Sequence, residues 1–203
     1  MSNMKHMYLF VDTISNPCYL AVFDESRTII DGLFWEGQRK EFDTLIETID
    51  ALLKKNNISY KQLSGICSIT GPGSFTGTRV TTLVMNAIAY AFETRLYPLS
   101  VGDFFHLQKS PLPWITPITK KEVLLWTEDE PNNYILTELS WLEDGEYSSV
   151  TTVDLNMPKS TIRKAKNYAA VIAWITLDHP VIRMQSIYAK EPNITLKAQH
   201  AIF

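Results

Sequence analysis

Gly71-Pro72-Gly73-Ser74-Phe75-Thr76-Gly77 joins a short apolar run, Gly65-Ile66-Cys67-Ser68-Ile69-Thr70, to a long helical pattern that begins at Thr78. Pro72 fixes its own φ, while Gly71, Gly73 and Gly77 carry no Cβ and let backbone pass close to another group. Ser74 or Thr76 can cap the helix that follows. Free N–H groups at a helix N-terminus make an anion site, so a phosphate is one natural ligand of such a loop. A ligand-free turn that uses glycine only for geometry is the alternative. The spacing G-x-G-x-x-x-G misses the dinucleotide fingerprint by one residue, and no lysine follows Gly77 as a P-loop requires. Pro72 stands where a nucleophile elbow needs glycine.

Upstream of the loop, Met7–Val11, Cys18–Phe23 and Thr28–Trp35 read as three strands, separated by Ser15-Asn16-Pro17 and Asp24-Glu25-Ser26. Such short connections predict an antiparallel meander. Phe42, Leu45, Ile46, Ile49, Leu52 and Leu53 then fall on one face of a helix spanning 41–55, with Glu41, Asp43 and Glu47 early and Lys54 and Lys55 late, as the helix dipole prefers. Residues 65–70 form a buried-type strand. Thr78–Glu93 is a second helix, apolar or small on more than one face: Val80, Leu83, Val84, Met85, Ala87, Ile88, Ala89, Tyr90 and Ala91. A helix of that kind is either buried in its own domain or covered by a partner. The order of strands and helices predicts an α/β fold, a mixed sheet with helices packed on it.

Downstream, Pro111, Pro113 and Pro117 crowd into 110–117 and read as a linker or surface loop between a first lobe, 1–109, and a second, 118–203. In that second lobe Val123–Trp126 and Tyr134–Leu139 suggest a hairpin, Ser149–Leu155 a further strand, Ser160–Trp174 a helix, and Ile187–Pro192 an extended tail. No repeat at a period of 20 to 50 residues is visible.

Val11-Asp12-Thr13 at the end of the first strand, the amphipathic helix after the third, and Gly-Pro-Gly-Ser-Phe-Thr-Gly followed by Thr78-Arg79 together resemble the TsaB (YeaZ) family. The resemblance covers residues 7–107. Further on, Ile187-Tyr188-Ala189-Lys190-Glu191-Pro192 is similar to that family's closing Pro-x-Tyr-x-Arg-x-Pro segment, with Lys190 where arginine is usual. Two family features are missing: a histidine at the start of the first long helix, where Glu41 and Phe42 stand, and an Asp-Ala-Arg segment leading to Glu-Val-Tyr, which Thr127–Ile135 does not reproduce.

The resemblance implies an actin-like ATPase (ribonuclease H-like) fold of two lobes, the second divergent. It implies a cytoplasmic, non-catalytic dimerisation subunit of the tRNA N6-adenosine threonylcarbamoyltransferase complex, binding and activating a TsaD-like protein, with a TsaE-like ATPase or a second copy as further partners. It implies a helical interface including Phe42, Leu45, Ile49, Val80, Val84, Ala87, Ile88 and Ala91. Actin-like folds also keep a nucleotide between the lobes, which directs attention to Asp12, Thr13 and the loop Gly71, Pro72, Gly73, Ser74, Phe75, Thr76 and Gly77, with ATP or ADP and magnesium at the partner interface. The plain reading of Asp12 and Thr13 is that they cap the first turn. A nucleotide-binding ATPase or phosphotransferase and a homodimeric scaffold are the competing functions, and no second glycine-rich loop follows Gly102 to complete the former.

Composition narrows the rest. The 203 residues carry 19 Lys+Arg against 22 Asp+Glu, a formal charge of −3, which argues against a chain that grips nucleic acid by itself. Lys120-Lys121 and Arg163-Lys164-Lys166 read as solvated faces. His6, His106, His179 and His200 are never four apart, so no helical metal pair is present. Cys18 and Cys67 lie in apolar stretches without CxxC spacing and read as reduced thiols. The longest apolar run, Ala169–Ile175, is seven residues, far short of the ~20 needed to cross a bilayer.

Overall fold

All of Cys18–Phe23 is buried in the computed structural model, which describes residues 6–35, 44–73, 75–151, 161–164 and 166–189. A strand with no exposed side must be covered on both faces, and two separate apolar clusters do this. Strands β1 (Met7–Asp12), β2 (Cys18–Asp24), β3 (Ile29–Trp35), β4 (Leu63–Ile69) and β5 (Arg95–Leu99) form one sheet in the order β3-β2-β1-β4-β5. The meander β1-β2-β3 is antiparallel, and β4 and β5 are parallel additions. Leu9, Val11, Leu20, Val22 and Ile66 face helices α1 (Leu45–Lys55) and α2 (Phe75–Phe92), meeting Leu45, Ile49, Leu52, Met85 and Ile88. Phe10, Tyr19, Ala21, Phe23, Cys67 and Ile69 face the other way, into the second lobe.

The second sheet contains β6 (Trp114–Pro117), β7 (Glu122–Trp126), β8 (Ile135–Glu138), β9 (Glu146–Ser149) and β10 (Thr161–Lys164), in the order β10-β9-β6-β7-β8. Each strand takes the place of the one five earlier, with the same pairing directions. The fold is therefore duplicated although the sequence shows no repeat. The helix that links β3 to β4 in the first lobe is reduced in the second to a single 3-10 turn, Leu139–Trp141. Helices α3 (Val101–Leu107) and α4 (Tyr168–Trp174) bring Phe104, Phe105, Tyr168, Val171 and Ile172 to the cluster that holds Trp114, Leu124 and Trp126 against the first sheet.

Two expectations are corrected. The proline-rich stretch 110–117 is not a linker throughout: Trp114 and Ile115 are buried in β6, the middle strand of the second sheet. Pro111 and Pro113 precede the strand and Pro117 is its last residue, positions that leave its interior N–H groups free to join the ladder. Residues 160–174 are not one helix. Thr161–Lys164 pairs in parallel with β9, and the helix starts afresh at Asn167, whose side chain accepts the N–H of Ala170. Sequence periodicity also passed over β5 and α3; Pro98 sits in β5, which lies at a sheet edge. The expected helix start at 41–43, residues 152–155 and the tail residues 190–192 lie outside the described residues.

Candidate functional site

Asp12 ends β1 with no exposed surface. Its Oδ1 accepts the N–H groups of Ile14 and Ser15, both at 2.9 Å, which is the turn-capping role. Its Oδ2 accepts the Tyr168 hydroxyl at 2.8 Å, so the carboxylate also ties the first strand to α4. Burial pushes the Asp12 carboxyl above its ordinary value, and these three donors oppose the rise. Burial, then the adjacent Asp12 carboxylate, holds the Tyr168 phenol well above its ordinary value, so its hydroxyl stays a donor. Tyr168 stacks on Tyr19 at 4.1 Å between ring centres and meets Phe10 edge-on at 5.9 Å.

Thr13 turns away from this cluster, with its hydroxyl 2.5 Å from that of Thr81 in α2. Thr81 donates in turn to the carbonyl of Gly77 at 2.9 Å, so the first turn and the glycine loop are joined.

The loop itself is closed by the chain's own atoms. Gly71 has φ +126°, a conformation natural only to glycine, and a Cβ there would collide with the Ile187 carbonyl. A Cβ on Gly73 would come within 2.9 Å of Ile14. Ile187 donates its N–H to the carbonyl of Thr70, and Val101 donates to that of Gly71, both at 2.8 Å. Pro72 is buried. Ser74 and the side chains of Phe75 and Thr76 lie outside the described residues. Both Asp12 oxygens are thus engaged, and Gly71 and Gly73 are covered by the chain's own atoms.

A different surface is left open. Along α2, Arg79, Leu83, Ala87, Tyr90 and Ala91 are exposed, Leu83 at 70% and Tyr90 at 91%. They recur at i, i+4, i+8 and i+11 or i+12, one outward stripe on a helix whose opposite side enters the core. The expected interface residues divide accordingly. Ala87 and Ala91 are on the stripe, Val80 and Val84 are half-buried on its border, and Leu45, Ile49 and Ile88 belong to the core. Phe42 lies outside the described residues. Leu83 and Tyr90, apolar side chains that sequence counted toward a helix covered all round, are the largest on the stripe. Ile46 of α1 is also exposed, at 53%.

Among the described residues no group of three or more His, Cys, Asp or Glu side chains is placed to hold a metal ion, and no helix is long and apolar enough to cross a membrane. His106 instead contacts Asp129 at 2.8 Å. Both cysteines are buried with no disulfide between them, and burial pushes the Cys67 thiol far above its ordinary value, which disfavours the thiolate.

Residues 37–110 match the family model described as TsaD: tRNA N6-adenosine threonylcarbamoyltransferase. The chain is 28% identical over 93 residues to the tRNA threonylcarbamoyladenosine biosynthesis protein TsaB of Haemophilus influenzae, a match that spans 45% of this chain and 38% of that protein. Its fold is similar to that of YeaZ from Pseudomonas aeruginosa, with a TM-score of 0.57 at 15% identity over 70% of this chain and 75% of the other. A Pseudomonas aeruginosa protein described as similar to peptidase YeaZ gives a TM-score of 0.58 at the same identity and coverage. The fold is thus the actin-like, ribonuclease H-like fold of the YeaZ structures, and over less than half of its length the chain is similar in sequence to a TsaB protein.

Proposed function

We propose that this chain is a non-catalytic subunit in the biosynthesis of threonylcarbamoyladenosine in tRNA, docking a TsaD-type protein through the outward stripe of α2. The observation that carries the reading is the exposure of Leu83 and Tyr90, with Ala87 between them on the same face. Side chains of that size are rarely left in water along one helical stripe unless a partner covers them. Ala87 and Ala91 would let another helix approach closely.

The choice of partner rests on two similarities. The related Haemophilus protein is named for this biosynthesis. The TsaD family model matches residues 37–110, a stretch that holds all of α1 and α2, so a TsaD-type lobe would carry a helix pair of the same make. Lobes that share an architecture can pair like face to like face.

Titration with the TsaD-type protein of the same organism tests this, by calorimetry and by reconstituted tRNA modification. Binding in the micromolar range or tighter is expected. Leu83→Glu is expected to abolish both binding and modification while leaving circular dichroism and Tm unchanged, because the side chain it replaces already faces water. No micromolar binding by the unaltered chain, or normal binding by the variant, would refute the reading.

A further inference from the structure

Beside the stripe, α2 holds an extended strap of the chain's own C-terminal region. Asn86 donates through Nδ2 to the carbonyl of Met184 at 3.0 Å and accepts the Met184 N–H at Oδ1 at 2.8 Å. One turn earlier along α2, the Thr82 hydroxyl lies 2.8 Å from that of Ser186, which also reaches the Thr78 carbonyl at 3.2 Å. Ile187 then closes on Thr70. At the near end Val181 donates to the carbonyl of Leu96, adding a bridge to the edge strand β5.

Thr78, Thr82 and Asn86 stand at i, i+4 and i+8, so they form one flank of α2, next to the stripe of Arg79, Leu83 and Ala87. The strap advances two residues per helical turn, from Asn86 opposite Met184 to Thr82 opposite Ser186. Ile182 stands in the bend between the Val181 bridge and Met184, and Tyr90 stands one turn beyond Asn86 on α2. Ile182 is fully exposed and Tyr90 is 91% exposed. Two large apolar side chains left in water, one on the helix and one on the strap bonded to its flank, make a wider surface than the helix offers alone.

We infer that strap residues 181–185 form the second wall of the docking surface, with Asn86 as the residue that positions it. The inference rests on the reading above, and its occupant is the same TsaD-type lobe. The TsaD match ends at residue 110, so α2 is the part of the surface shared with that family and the strap is the part contributed by this chain. A helix of the partner lying on Leu83 and Ala87 meets Ile182 at its edge.

The test titrates the full chain and three variants against the TsaD-type protein. Ile182→Glu is expected to weaken binding about tenfold without a change in Tm. Asn86→Ala is expected to weaken it to a similar degree, with faster hydrogen exchange across 181–187. Leu83→Glu is the control for the helix itself. If Ile182→Glu leaves affinity unchanged while Leu83→Glu abolishes it, the wall is refuted and the docking reading stands. If Leu83→Glu has no effect, the docking reading fails first. If Ile182→Glu instead disrupts only self-association in sedimentation, the wall serves a second copy of the chain and the inference is overturned.

Discussion

At the scale of single residues, Asp12 serves the fold through both of its carboxylate oxygens. Its capping of Ile14 and Ser15 is local and was legible in Asp12-Thr13-Ile14-Ser15, because carboxylates commonly accept N–H groups two and three residues ahead. Its bond to Tyr168 crosses 156 residues, and no local pattern announces it. That bond has measurable consequences. A carboxyl whose pKa in the folded chain is raised above its unfolded value of 3.8 favours the folded state below that value and loses this contribution as pH rises through the folded pKa. An asparagine side chain at this position would keep the acceptor for Ile14 and Ser15 and carry no charge. Asp12→Asn is therefore expected to raise Tm at neutral pH and to lose its advantage as pH falls toward 4; thermal scans across that range check it, and a uniform loss at every pH would contradict it. Tyr168→Phe removes one donor from a buried carboxylate and is expected to cost about 1–3 kcal/mol in urea unfolding at neutral pH.

At the scale of elements, apolar runs bounded by turn residues located β1, β2, β3 and β4, and helical periodicity located α1 and α2, whose apolar faces pack on the first sheet. It failed at 160–174, where β-branched Thr161 and Ile162 join a parallel strand whose partner β9 lies well before them in sequence. The glycine loop is the instructive case. Its glycines were legible as places where something approaches closely, yet the sequence left open what that is, and the answer is the strap residue Ile187 and the side chain of Ile14. Gly71→Ala puts a Cβ on a residue at φ +126° and against the Ile187 carbonyl. Backbone strain of this kind costs about 1–3 kcal/mol before the collision is counted. The variant is expected to lower Tm and to speed hydrogen exchange over 184–189 more than over α1. Unchanged exchange in the strap would show that Gly71 serves only its own turn.

At the scale of the whole molecule, the two sheets repeat one topology, but the second lobe is built from shorter strands and a 3-10 turn in place of a helix. Sequence comparison within the chain misses the repeat because pairing order constrains which strands meet, while the side chains are set by what each face packs against. The exposed edge strand β8, with Ile135 at 59% and Leu136 at 38%, marks how thin the cover of that lobe is. Its stability must then come from the core it shares with the first lobe, where Trp114, Leu124 and Trp126 join Phe10, Tyr19 and Cys67 through Tyr168, Val171 and Ile172. One shared core predicts one cooperative transition. The change in tryptophan fluorescence as Trp114 and Trp126 lose their burial should follow the same urea curve as far-ultraviolet circular dichroism. A chain cut after Ser110 would leave Phe10, Tyr19, Phe23, Cys67 and Ile69 without their cover, and it is expected to bind a hydrophobic dye and to melt without a sharp transition. Two separated transitions in the full chain, or a sharply melting fragment, would mean that the lobes fold independently and that the Asp12–Tyr168 bond joins two finished domains.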